Sequence, residues 1–188
     1  MTAAEAARRH RRFAGAFTDL VRGTTDWDAP APVPGWTSRD VVCHLVEWFP
    51  AFLAGGDVRL GPGPSPAADP VAAWIHHAAA VQALLDDPAT EQRRFSHPVA
   101  GTHWLAVAID RFYTPDVFMH CWDLARATGQ HYAMDAGYAA ELLDGMQSME
   151  QVIRSSGQYG HAVPVPADAS VPDRLLGFIG RDPYWTAG

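Results

Sequence analysis

In the stretch TPDVFMHCWDLARATG, residues 114–129, Asp116 and His120 stand four positions apart. On a helix that spacing puts a carboxylate and an imidazole one turn apart on the same face. Residues 105, 109, 112, 116, 120 and 123 recur at steps of three and four, and the first three are Leu105, Ile109 and Phe112, so the face is directed to a core. An acid pointed into a core without a partner is costly, so Asp116 requires a hydrogen bond, a cation or a metal ion. His44, one turn from Val41 and Trp48 on an earlier helix, lies on the same kind of face. Two imidazoles and one carboxylate converging between helices suit a divalent transition metal, and three protein donors leave positions open for water or substrate. The same pattern also suits a buried acid–imidazole pair, with His44 a satisfied core histidine.

Five helical segments must position these groups. The first spans about 3–22, with Phe13, Phe17, Leu20 and Val21 as its apolar stripe, and stops before prolines 30, 32 and 34. The second starts at Thr37 or Ser38, either a suitable N-cap, with Asp40 in its first turn. It carries Val41, His44, Leu45, Trp48 and Phe52 before the Gly/Pro loop GGDVRLGPGPSPAADP. The third runs from about Asp69 to Leu85, capped by Asp69 with Pro70 first in the helix, and is expected to bury Val71, Trp74, Ile75, Ala78, Val81 and Leu85. The fourth covers about 104–128 and ends at Gly129, with Pro115 either kinking it or marking a fresh start capped by Thr114. The fifth covers about 135–153, and DRLLGFIG in the tail allows one more short helix. Alternating strand patterns are almost absent. The expectation is an all-α protein, a bundle of four main helices with added pieces, forming one domain over residues 1–188.

Composition narrows the function classes. A net charge of -7 excludes a general attraction to nucleic acid or anionic membrane, and the run RRHRR at 8–12 reads as a solvated face beside the first apolar stripe. No segment approaches the length needed to cross a bilayer, and the N-terminus lacks the apolar stretch of a signal peptide, so a cytoplasmic protein is expected. Cys43 and Cys121 are the two cysteines and form no CxxC pair, which excludes a disulfide framework and a zinc ribbon.

Three stretches, PVPGWTSRDVVCHLVEW at 32–48, DVFMHCWDLARATGQ at 116–130 and DRLLGFIGRDPYW at 173–185, carry a resemblance. The chain resembles the DinB-like superfamily of metal-binding four-helix bundles, and within it the actinobacterial branch that includes mycothiol-dependent maleylpyruvate isomerase. The resemblance implies a divalent metal, commonly zinc with nickel or iron as alternatives, held by His44, Asp116 and His120. The isomerase uses Glu where this chain has Asp116, so the shorter arm implies a different binding mode or a shifted metal. The resemblance also implies mycothiol or a similar low-molecular-weight thiol as cosubstrate, in transfer to or isomerisation of a small electrophile. A metal with an open position lowers the pKa of a thiol, so no separate protein nucleophile is required. The isomerase continues into a further C-terminal domain past the point matching the end of this sequence, and thiol contacts from that domain are not expected here.

Other residues have less to offer. Cys43 and Cys121 flank the two histidines but point about 100° away from them and read as small core residues. Asp123, one turn past His120, suits an acceptor orienting an imidazole or a pairing with Arg126. Of His76 and His77, one should be exposed and one partly buried. Trp36, Trp48 and Trp122 read as core, with Trp48 also placed to line a pocket, and Arg39, Arg126 and Arg181 as surface ion pairs or carboxylate binders. Rival functions are a metal-activated hydrolase or lyase using hydroxide, non-haem iron chemistry, and a metal-containing ligand-binding module without turnover. A small-molecule substrate and a homodimer through an exposed helix face complete the expectations.

Overall fold

The computed structural model describes residues 1–155 and 159–187. Helix α1 (Ala3–Gly23) opens on a reciprocal cap, in which Thr2 accepts from the Glu5 amide and Glu5 accepts from the Thr2 amide. Helix α2 (Ser38–Ala54) repeats the device with Thr37 and Asp40. Helix α3 (Pro70–Asp86) is capped by Asp69, with Pro70 at the position where a missing N–H costs nothing. After a 3₁₀ turn (Pro88–Gln92), strands β1 (Arg94–His97) and β2 (Gly101–Trp104) form an antiparallel hairpin with Phe95 opposite His103.

The hairpin is an addition to the all-helical expectation, in which strand patterns are almost absent. Four residues per strand are too few for a visible alternation, and the pair is held by Phe95, fully buried against Phe52, and by His97 stacked on Phe52 at 4.6 Å.

Helix α4 (Leu105–Ala108) leads into a π-helical turn (Ile109–Tyr113) and on into α5 (Thr114–Ala127), which ends at Gly129 with φ of 66°. The chain therefore stays helical through Pro115, and Thr114 does not act as an N-cap. Proline cannot donate to the carbonyl four residues back, and the wider upstream turn, where the Thr114 amide bonds to Ile109 O, accommodates its ring. The extra residue in that turn shifts the helix phase. Tyr113, instead of the expected Phe112, is fully buried, and Asp110 is turned inward as well.

Helix α5 is buried on nearly every side, flanked by α1 and α2, while α3 packs on α1 and α2. These four make the bundle, whose apolar core runs through Phe17, Leu45, Phe49, Trp74, Ile109 and Phe118. The α3 face is rotated from the expected one. Ala73 and His77 are buried, and Ile75 is outside, because Trp74 is locked by an edge contact to Phe17 and a hydrogen bond to Thr18. The expected fifth helix is two, α6 (Ala136–Gln147) and α7 (Glu150–Ser155), separated by a turn. The short tail helix is α8 (Val171–Phe178), packed on α6.

The arginines at 8–12 do more than face solvent. Arg9 meets Asp110 at 3.1 Å and Glu141 at 3.2 Å, Arg11 meets Asp86 and Arg12 meets Asp135, both at 2.7 Å, so α1 is tied to α3, α6 and the π turn. Arg11 and Arg12 remain more than half exposed, and each of those pairs contributes no more than about 1 kcal/mol. No described helix is long and apolar enough to cross a membrane.

Candidate metal centre

Helices α2 and α5 pack side by side, and the half-buried flank of α2 that carries His44 and Trp48 faces the first turns of α5. His44 Nε2 lies 3.1 Å from Asp116 Oδ2, and His120 Nε2 lies 3.4 Å from Asp116 Oδ1. The His44 and His120 rings meet edge to face, 4.9 Å between centroids. One donor atom from each of the three residues lies within 4.8 Å of the others, and among the described residues this is the one such group of three. Metal bonds of about 2.0–2.2 Å from nitrogen or oxygen bring neighbouring donors to roughly 3–3.5 Å. The two imidazole contacts to Asp116 already have that spacing, and the chemistry of the set suits a divalent cation.

The proton on His120 can be assigned. Its Nδ1 is 2.8 Å from Asp123 Oδ2, and a carboxylate only accepts, so Nδ1 carries a hydrogen and Nε2 is the nitrogen turned toward Asp116 and His44. Asp123 in turn accepts from Arg181, with Nε at 3.0 Å from Oδ1 and Nη2 at 3.1 Å from Oδ2. Burial works against ionisation of Asp123, but the His120 bond and the Arg181 guanidinium outweigh it and hold the carboxyl below its ordinary value. Asp123 is thus an imidazole-orienting acceptor and does not pair with Arg126, which donates to Pro183 O.

Asp116 is governed in the same way. Burial pushes its carboxyl up, while the facing His120, the His44 contact and the Trp48 indole N–H at 2.9 Å bring it below the usual carboxylate range. His44 is the open side, with 32% of its side chain exposed against 5% for His120.

Aromatic groups wall the donors. Trp36 lies over both imidazoles, 5.1 Å from the His44 ring and 5.8 Å from the His120 ring, so the expectation of a plain core residue is replaced by a place at the site. It is held there by a tight turn, with Gly35 at φ of 79° and the Ala31 amide bonded to Trp36 O at 2.8 Å. Trp48 also belongs to the site, whereas Trp122 is buried in the core. Tyr159 stands near enough that Asp116 adds to the burial raising its phenol pKa.

Cys43 and Cys121 stay out of the donor set. Burial raises both thiols above their ordinary pKa, and Cys121 donates weakly to Phe13 O, so neither is an activated nucleophile. His76 is exposed, as one of the pair was expected to be, whereas His77 is buried instead of partly buried. Arg181 and Trp36 are the site residues that the helical spacing did not reveal. Both come from irregular segments, where no periodicity reports direction.

A family model described as mycothiol maleylpyruvate isomerase N-terminal domain matches residues 5–125, a segment that holds the three donors and Asp123. The uncharacterized protein Rv0738 of Mycobacterium tuberculosis (strain ATCC 25618 / H37Rv) is 28% identical over 186 residues, covering 92% of this chain and 95% of the relative. The uncharacterized protein MT0763 of Mycobacterium tuberculosis (strain CDC 1551 / Oshkosh) matches to the same extent, 28% over 186 residues. No solved structure matches the chain. The helical bundle of DinB-like type and the matched segment agree, and the chain belongs to the family of mycothiol maleylpyruvate isomerase N-terminal domains.

Proposed function

We propose that this protein is a metal-dependent enzyme that uses a mycothiol-type thiol to transfer to, or isomerise, a small electrophilic substrate. The observation carrying the proposal is the convergence of His44, Asp116 and His120 within 4.8 Å on adjacent helices, with the His44 side open. His44 Nε2, an Asp116 oxygen and His120 Nε2 would hold a divalent ion, and the family likeness favours zinc, which accepts two imidazoles and one carboxylate. Such an ion, when bound, supplies a Lewis-acid site that lowers the pKa of an incoming thiol into the neutral range.

The chain's own residues do the rest. Asp123 holds a hydrogen on His120 Nδ1, so Nε2 is the nitrogen left to face the donor set. Trp48 fixes one Asp116 oxygen, and Trp36 shields the imidazoles from water on one side. Arg181 is engaged by Asp123 and is therefore not free to receive a substrate carboxylate. The family supports the thiol, and the open face at His44 supports a small second molecule.

Elemental analysis of protein purified without added metal tests the site, with His44→Ala and His120→Ala as controls. Near-stoichiometric zinc in the wild type, lost in both variants, is expected. A wild type that neither carries nor takes up zinc would leave the three residues as a hydrogen-bonded acid–imidazole group. Incubation of zinc-loaded protein with mycothiol and a panel of electrophiles tests the reaction. Turnover without thiol would favour a hydrolase or lyase, and binding without turnover a ligand-binding module.

A further inference from the structure

We propose that Arg181, in the segment after α8, is a positioning residue of the metal centre, acting on His120 through Asp123. This rests on the metal reading above. The three donors and Asp123 all fall inside the family-matched residues 5–125, whereas Arg181 falls outside them. The centre is thus completed from a part of the chain beyond the matched segment.

The approach of Arg181 is built into the end of α8. Gly180 takes φ of 87°, its amide bonds to Gly177 O at 3.2 Å, and the Arg181 amide bonds back to Leu176 O at 2.8 Å. This is the paired hydrogen-bond ending that a left-handed residue allows, and it sends the chain out of the helix at a defined angle. A Cβ on Gly180 would lie 2.9 Å from Gly160 Cα, so this close crossing also requires glycine. The segment that follows is docked on α5 by the bond from Arg126 to Pro183 O, 3.3 Å.

The contact itself has the geometry to set direction. The guanidinium approaches through Nε and Nη2, one to each carboxylate oxygen, which fixes the plane of the Asp123 carboxylate. Asp123 is 1% exposed and Arg181 13%, so water competes little for either. With its plane held, Oδ2 has one remaining direction in which to accept, and His120 Nδ1 occupies it at 2.8 Å. Without the fork, the carboxylate can turn about its last bond and the imidazole loses its fixed aim. A lysine supplies charge to this position without the two-point grip.

The test compares wild type with Arg181→Met and Arg181→Lys. Zinc affinity is measured by chelator competition, and the His120 Nδ1–H by NMR on metal-free protein. Outer contacts to metal-bound histidines are typically worth about 10–100-fold in affinity. Arg181→Met is expected to lose zinc affinity in that range and to lose the slowly exchanging Nδ1–H signal, with helical circular dichroism retained. Arg181→Lys should fall between the two, and it serves as the readable variant if Arg181→Met does not fold. Unchanged zinc affinity and an unchanged Nδ1–H signal in the folded variant would overturn the proposal and leave the metal reading standing. If wild type binds no zinc, the metal reading fails instead, and the signal in the variants still decides whether Arg181 sets the imidazole.

Discussion

The indole nitrogen of Trp48 donates to Asp116 Oδ2 at 2.9 Å, and that same oxygen faces His44 Nε2 at 3.1 Å. Trp48 and His44 are one turn apart on α2, so a single helical turn supplies both an imidazole and the group that aims the carboxylate toward it.

Trp48→Phe removes the indole donor while keeping most of the ring. Losing a hydrogen bond to a charged group is worth about 1.5–3 kcal/mol. The expected result is a zinc affinity lower by about tenfold, the rotamer of Asp116 being no longer held. Chelator competition reads the change, and Trp48→Phe binding zinc as tightly as wild type would show that the carboxylate is aimed by other contacts.

Position 116 separates charge from reach. Asp116→Asn keeps the shape and loses the anionic oxygen, and zinc affinity should fall by more than the roughly 100-fold typical of an outer contact. Asp116→Glu keeps the charge on a longer arm. It should retain the ion but alter the visible spectrum of a cobalt-substituted sample. Identical spectra for Asp and Glu would mean that arm length does not shape the centre.

Stability should fall on mild acidification because of two histidines remote from the centre. Burial pushes His10 down to about 4 and His77 down to about 3, and among the described residues neither Nε2 finds a partner. Their folded values lie below the unfolded value of 6.5, so the unfolded chain binds protons first. Their contribution is complete above about pH 6.5 and is lost as the pH falls toward 4. At pH 4.5 the two together should cost about 5 kcal/mol relative to pH 8. Urea unfolding at both pH values measures this, with the double variant His10→Gln, His77→Leu. Wild type and variant losing stability in parallel would contradict the account.

Gly180→Ala should loosen the tail. A side chain at φ of 87° costs roughly 1–2 kcal/mol, and the close approach of Gly160 adds to it. The expected signs are a lower melting temperature and faster tryptic cleavage after Arg181, with zinc affinity falling alongside. Cleavage at the wild-type rate would show that the crossing at Gly160 can relax.

Much of this protein was legible along the chain because it is local. Thr37 with Asp40, Asp69 with Pro70, and Gly129 mark helix ends through hydrogen bonds and backbone angles spanning three or four residues. The Asp116–His120 spacing is local too, and the bundle follows from the apolar faces. The sequence nominated His44 as their companion, and tertiary structure brought the three together, since only packing of α2 on α5 sets that distance. Other features depend on contacts between distant residues. The π turn that places Tyr113 and Asp110 inward answers both Pro115 and the core around it, and the hairpin stands on Phe52. Trp36 over the imidazoles and Arg181 on Asp123 lie in irregular segments, whose direction is decided by what they dock against and leaves no repeating pattern in the chain.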